Sequence, residues 1–161
     1  MTKKYDSTLF DFLKSNPTLE ITKRLEILVK VVEGVQAQHA QHVKHADLKA
    51  QNIFIDVDER NVKELVVADF GIGSSWPVDH LCGTPGVGSP EQFTTHSRKE
   101  SDVFSLGKLA VQIIFPWDTF WGIMGTPVNQ SAIDEFRNAH AIFKRFHDLI
   151  SSMLEVKQDM D

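Results

Sequence analysis

Leu9, Phe10, Phe12 and Leu13 open the apolar pattern of this chain as a short helix. It stops near Asn16-Pro17, because proline cannot extend a helix and biases the residue before it towards extended backbone. Leu25, Leu28, Val29, Val32 and Val35 then recur at helical spacing and predict a second helix over about 22–41. Two short apolar runs follow, Ile53 to Ile55 between Asn52 and Asp56, and Leu65 to Ala68. The polar stretch 58–64 separates them, so they predict the strands of a hairpin. From 70 to 90, glycine, serine and proline dominate and predict a long ordered loop. Ser101 and Asp102 then resemble an N-cap for a helix reaching about Phe115. Val103, Phe104, Leu106, Leu109, Ala110, Val111, Ile113 and Ile114 make that helix apolar on most sides, as expected of a buried central helix. Pro116 ends it, and a last helical stretch spans about 133–155. The expected fold is mainly α with a small β-hairpin, an α+β arrangement in a single domain spanning 1–161.

Composition narrows the functional classes. The 161 residues can bury a real core without disulfide or metal staples. The net charge of −5 argues against broad electrostatic binding to nucleic acid or to an anionic membrane surface. Lys3-Lys4 is the one basic cluster and reads as a solvated terminus. The single cysteine, Cys82, allows no internal disulfide, which fits a reducing intracellular compartment, cytoplasmic or nuclear. No signal-peptide pattern opens the sequence, and no apolar run has the length to span a bilayer. No internal repeat or low-complexity tract is present.

Four segments carry the candidate chemistry. They are His45-Ala-Asp-Leu-Lys-Ala-Gln-Asn52, Ala68-Asp-Phe-Gly71, Cys82-Gly-Thr-Pro-Gly-Val-Gly-Ser-Pro-Glu91 and Ser101-Asp-Val-Phe-Ser-Leu-Gly107. Asp47 and Asp69 lie 22 residues apart, room for one hairpin between two loops. In this order and at these spacings the four segments resemble the lower, C-terminal lobe of a eukaryotic-type Ser/Thr protein kinase. They match its catalytic loop, its magnesium-binding Asp-Phe-Gly, the end of its activation segment and the start of its central helix. The resemblance runs from about Ser7 to Glu155.

The resemblance implies phosphoryl transfer from ATP to a protein Ser or Thr, a reaction governed by positioning and charge neutralisation. Asp47 would accept the proton of the substrate hydroxyl, and Lys49 would neutralise charge on the transferred group. Asn52 and Asp69 would hold Mg²⁺ with hard oxygen ligands and, through it, ATP. Lys49 is the residue Ser/Thr kinases carry there, and Thr84 would position the peptide substrate. His45, Phe70, Gly71, Glu91 and Asp102 would be structural anchors. His45 would pack in a buried spine under Phe70, and Asp102 would bind the catalytic-loop backbone.

Plainer readings stand beside these. Asp47 and Asn52 could be turn residues, and Asp102 only a helix cap. His39, His42, His80 and His96 lack metal-ligand spacing. The run from Gly83 to Gly88 neither follows a strand nor opens a helix, so it is no phosphate-binding loop.

Three departures from the family pattern shape the expectation. No Gly-x-Gly-x-x-Gly precedes His45, so the chain reads as a C-lobe alone, without the upper lobe and the extreme C-terminal helix. ATP binding would then be weak or dependent on a partner. Ala46 replaces the usual Arg, a non-RD arrangement that removes the pairing by which a phosphorylated activation loop is ordered. Glu91 lacks its usual C-terminal Arg partner, for which Lys157 is the available substitute. The expected partners are a protein substrate and either a completing protein or a second copy, docked on the face the upper lobe would cover. The alternative function is a non-catalytic pseudokinase or decoy module. The retained Asp47, Lys49, Asn52 and Asp69 motivate the kinase reading, and the intact acidic pair with Asn52 favours an active or recently active ancestor.

Overall fold

A computed structural model describes residues 4–59, 61–68, 99–115 and 153 of the chain. Its elements in order are β1 (Ser7–Thr8), α1 (Leu9–Ser15), α2 (Ile21–Ala40), a 3₁₀ turn (Ala50–Asn52), β2 (Ile53–Asp58), β3 (Asn61–Val67) and α3 (Lys99–Ile114). The first three helices and the hairpin expected from the sequence are therefore present, in an α+β arrangement. The expected loop over 70–90 lies outside the described residues, and so does the expected helix over 133–155 except for Met153.

Thr8 starts α1. Its hydroxyl accepts the amide hydrogen of Asp11 at 3.2 Å and donates to the Asp11 carboxylate at 2.7 Å, a reciprocal cap. At the other end, the Asn16 side chain donates to the Phe12 carbonyl at 2.9 Å. Leu9, Phe12 and Leu13 face the core.

On α2 the apolar stripe is the one the sequence suggested only in part, at Val35 and at Leu28, which packs against the core. Ile27, Val31 and Val35 are buried, whereas Val29 is 56% exposed and Val32 39%. The helix is apolar on more than one face, and packing against α3 and β3 selects the stripe that starts at Arg24. Gly34 lies against β3, where a Cβ would meet Val67 Cγ2 at 2.9 Å.

The end of α2 sets up the loop that follows. The Val43 amide donates to the Gln38 carbonyl and the His42 amide to the His39 carbonyl, each at 3.0 Å. This is a Schellman ending, with His42 at φ 57° in the position that glycine usually fills. His42 is exposed. His42→Gly is therefore expected to raise stability by about 1 kcal/mol, the cost of a Cβ in the left-handed region. A urea midpoint that falls, or stays unchanged, would contradict this reading of the turn.

The sheet is antiparallel with order β1-β2-β3. β2 and β3 run further than their apolar cores, so most of the polar stretch over 58–64 belongs to the strands. Of the described residues only Glu59, at φ 55°, lies between the two strands. A register irregularity at Asp56/Val57 lets the ladder continue through polar residues that face solvent. β1 was not foreseen, since two residues carry no periodicity. It pairs Ser7 with Ile55 and Thr8 with Phe54, and Asp6 fixes the register by accepting the Val57 amide at 2.9 Å.

α3 is the buried central helix expected, apart from Val103, which is 39% exposed. It begins at Lys99, so Ser101 and Asp102 sit inside its first turn and are not its N-cap. Leu106, Leu109 and Ile113 join Leu9, Leu13, Ile27, Val31, Val35, Leu48, Ile53, Ile55 and Val67 in one core. Among the described residues no helix is long and apolar enough to cross a membrane.

Candidate active site

The loop over 43–52 is held from below by its own apolar residues. Leu48 is fully buried in the core, and Ala50 behind it is fully buried as well. Lys49 is extended, at φ −155° and ψ 161°, and side chains alternate sides along extended backbone. Seating Leu48 inward therefore turns Asp47 and Lys49 outward together. Lys49 Nζ lies 2.7 Å from Asp47 Oδ2, with the side chains 23% and 11% exposed. A charge-assisted contact this short and this shielded fixes both groups.

Asn52 closes the cluster. The 3₁₀ turn brings its amide back over the loop, with its backbone N–H on the Lys49 carbonyl at 2.9 Å. Its side-chain Nδ2 donates to the Asp47 carbonyl at 2.9 Å and to Asp47 Oδ2 at 3.2 Å. Both partners are acceptors, so the amide nitrogen must point at Asp47 and the oxygen away from it. Among the described residues Asn52 Oδ1 has no hydrogen-bond partner. It is a hard oxygen aimed away from Asp47, the donor type Mg²⁺ selects.

The hairpin brings Ala68, the first residue of the second motif, to this place. Ile53 pairs with Val67, and the Ala68 amide donates to the Asn52 carbonyl at 2.9 Å. Residue 68 thus lies beside residue 52, and Asp69 is the next residue along the chain. Asp69, Phe70, Gly71, Thr84 and Glu91 lie outside the described residues.

His45 is fully buried, and its ring ties the two motifs together. Its Nδ1 accepts the Asp47 amide hydrogen at 3.3 Å, so Nε2 carries the proton and donates to the Ala68 carbonyl at 2.8 Å. Asp102, from the first turn of α3, supports the loop from the other side. Its Oδ2 accepts the His45 amide and its Oδ1 the Ala46 amide, each at 2.8 Å. Ala46 has φ 67°, a left-handed conformation that costs a Cβ-bearing residue about 1–2 kcal/mol. Such a conformation persists where its surroundings over-determine it, and the carboxylate gripping two successive amides does so.

Two further residues complete the support, and motif reading singled out neither. Arg24 is 4% exposed. It donates to the carbonyls of Leu19, Ile113 and Pro17 at 2.9 Å, Phe115 at 3.2 Å and Asn16 at 3.4 Å. Burial lowers its pKa from the usual value. His39 Nε2 lies 2.9 Å from Asp102 Oδ2. The sequence did contain a signal for both: Arg24 and His39 continue the Ile27, Val31, Val35 stripe at helical spacing, and polar residues on a buried stripe have partners.

A carboxylate, an ammonium and a side-chain amide gather on one loop, and the hairpin brings Ala68, which opens the Ala-Asp-Phe-Gly run of the sequence, beside it. The protein kinase domain model matches residues 2–160. The chain belongs to the protein kinase family. Among curated kinases, a probable serine/threonine-protein kinase of Dictyostelium discoideum is 29% identical over 92% of this chain and 18% of its own length. A serine/threonine-protein kinase of Gallus gallus is 28% identical over 92% of this chain and 19% of its own. The interferon-induced, double-stranded RNA-activated protein kinase of Mus musculus is 33% identical over 66% of this chain and 22% of its own length. The chain thus spans about a fifth of the length of these kinases.

Proposed function

We propose that this chain carries out the phosphoryl-transfer half of a serine/threonine protein kinase reaction, with ATP and Mg²⁺, on a Ser or Thr hydroxyl of a protein. The observation that carries the reading is the convergence of Lys49 Nζ and Asn52 Nδ2 on Asp47 Oδ2. In the step itself, the substrate hydroxyl oxygen bonds to the γ-phosphorus. The bond from that phosphorus to the β-phosphate oxygen breaks, ADP leaves, and the hydroxyl proton passes to the Asp47 carboxylate. Lys49 reaches the incoming phosphoryl oxygens from its place beside Asp47 and offsets their charge.

The donor chemistry of Asn52 supports a magnesium site. Asn52 Oδ1 points away from Asp47, and the hairpin register carries the chain from Ala68 straight into Asp69. Asn52 and Asp69 would hold the ion, which when bound neutralises phosphate charge and orients the nucleotide. Thr84 positions the peptide, and the preference for Ser and Thr follows Lys49 and the Gly83-Thr84-Pro85 run. The groups that cover the nucleotide in a kinase come from a completing lobe or partner protein docked over this site.

Calorimetric titration with MgATP tests the reading, alone and with a kinase upper lobe added in trans. Binding is expected to require Mg²⁺ and to be lost in Asp69→Asn and in Asn52→Ala, with melting temperatures close to the parent. Nucleotide binding indifferent to Mg²⁺ and to both substitutions would overturn it. Absence of binding under both conditions would favour a non-catalytic binding module.

A further inference from the structure

We propose that Gln38 is a positioning residue for the end of β3, the point from which the chain enters Asp69. β3 is an outer strand of the sheet. Peptide groups of successive residues in an antiparallel strand turn to opposite edges. The Ala68 amide donates to the Asn52 carbonyl at the head of β2, so the Val67 carbonyl turns the other way, towards α2. There Gln38 Nε2 donates to it at 3.2 Å. Gly34, four residues earlier on the same face of α2, allows the approach, since a Cβ there would meet Val67 Cγ2 at 2.9 Å.

The Val67 carbonyl and the Ala68 amide belong to one peptide unit. That unit is gripped at both ends, its oxygen by Gln38 and its N–H by Asn52. Held at one end, a peptide plane can swing; held at both, it has one orientation. His45 Nε2 then holds the next carbonyl, that of Ala68, at 2.8 Å. Asn52 and His45 belong to the loop over 43–52, so Gln38 is the contact that comes from α2. Its backbone carbonyl also accepts the Val43 amide, where that loop begins. One residue thus relates the entry to Asp69 to the loop that carries Asp47 and Asn52.

Stability does not account for this side chain. Gln38 Oε1 is buried and, among the described residues, has no hydrogen-bond partner. An acceptor buried unpaired costs at least as much as one neutral hydrogen bond contributes. The two ends of the amide therefore offset each other in stability, while the bond from Nε2 still fixes an orientation. The consequence for magnesium at Asp69 rests on the phosphoryl-transfer reading. The grip on the Val67–Ala68 peptide does not.

Gln38→Met keeps the length of the side chain and removes both the donor and the unpaired acceptor. Gln38→Glu keeps the shape and removes the donor alone. Native-state hydrogen exchange reads the peptide without any nucleotide. In Gln38→Met the Ala68 amide is expected to exchange about fivefold faster, the scale of one neutral hydrogen bond. The amides of Val31 and Leu109, in the cores of α2 and α3, are expected to keep their parent rates. The urea midpoint is expected to stay level or rise, because the unpaired acceptor leaves with the donor. Gln38→Glu is expected to quicken Ala68 at least as much and to lower the midpoint, since a carboxylate then faces a carbonyl. In calorimetric titration with ATP at graded Mg²⁺, Gln38→Met is expected to need about fivefold more Mg²⁺ for half-maximal binding. With an upper lobe added, kcat at saturating Mg²⁺ is expected to match the parent, because Asp47 and Lys49 keep their places. Should Gln38→Met not fold, Gln38→Leu takes its place. Unchanged Ala68 exchange, or a rise shared by Val31 and Leu109, would overturn the inference. So would a parental Mg²⁺ requirement in a variant whose Ala68 exchange has quickened. A parent that binds no nucleotide, beside a variant that shows the local exchange change, would count against the phosphoryl-transfer reading and uphold the grip on the peptide.

Discussion

Replacing Arg24 with Met is expected to cost about 3–5 kcal/mol, a large share of the 5–15 kcal/mol that typically separates folded from unfolded. The guanidinium serves five backbone carbonyls from two places in the chain. Leu19, Asn16 and Pro17 belong to the connection between α1 and α2, and Ile113 and Phe115 to the C-terminal end of α3. Carbonyls at a helix end have no partner inside the helix, and the end of a helix dipole is negative, so a buried cation there is stabilised twice. Met fills the volume but takes the guanidinium donors away from the Leu19, Ile113 and Phe115 carbonyls, whose bonds to Arg24 are buried. Arg24→Lys is expected to recover less than half of the loss, because one ammonium cannot reach in the directions that the planar fork spans. Urea denaturation of the three proteins measures both effects. A midpoint in Arg24→Met within about 0.5 kcal/mol of the parent, the range of ordinary surface substitutions, would show that water or a local shift replaces the guanidinium.

Asp102→Asn is the second large effect, expected near 3 kcal/mol. Shape is almost unchanged, yet an amide presents one acceptor and one donor where the structure supplies donors on both sides. Whichever way the amide turns, its NH₂ faces either the Ala46 amide or the pair formed by the His45 amide and His39 Nε2. The charge that strengthens the remaining bonds is also gone. The left-handed Ala46 then loses part of what over-determines it. The loop amides should lose protection by more than the global stability change accounts for. Equal losses at His45, Ala46 and the α2 core would indicate uniform destabilisation and contradict a specific hold on the loop.

These effects bear on how the site is built. The cluster of Asp47, Lys49 and Asn52 contributes no side chain to the apolar core. Its placement comes from Leu48 and Ala50 beneath it, from Ile53 at the start of β2, and from the Asp102 carboxylate behind it. Substitutions at Arg24 or Asp102 therefore reach the candidate chemistry without touching it. Arg24 acts by holding the end of α3, and Asp102 by gripping the peptides on either side of Ala46.

Much of this was legible in the residues. Periodicity located α1, α2 and α3 to within about two residues, and two apolar runs located the hairpin. The four ordered motifs named the family that the domain match bears out. Periodicity failed where a helix is apolar on two faces. Val29 and Val32 fit the helical spacing as well as Val31 and Val35 do, and only contact with α3 and β3 decides between them. Cap patterns failed at Asp102, since a Ser-Asp pair reads the same whether it opens a helix or turns inward from its first turn. Strand ends failed because a ladder continues through polar residues as long as one edge is paired.

The sequence by itself determined the order of helices and hairpin, the kinase family, and the identities of Asp47, Lys49 and Asn52 as one candidate cluster, because these follow from local spacing. Only the tertiary structure decided what holds that cluster. The five carbonyls on Arg24 include two about 90 residues away along the chain, and the three donors on Asp102 lie 56 to 63 residues from it. Hydrogen bonds of that separation leave no local period, so they exist only once α2, α3 and the loop have packed.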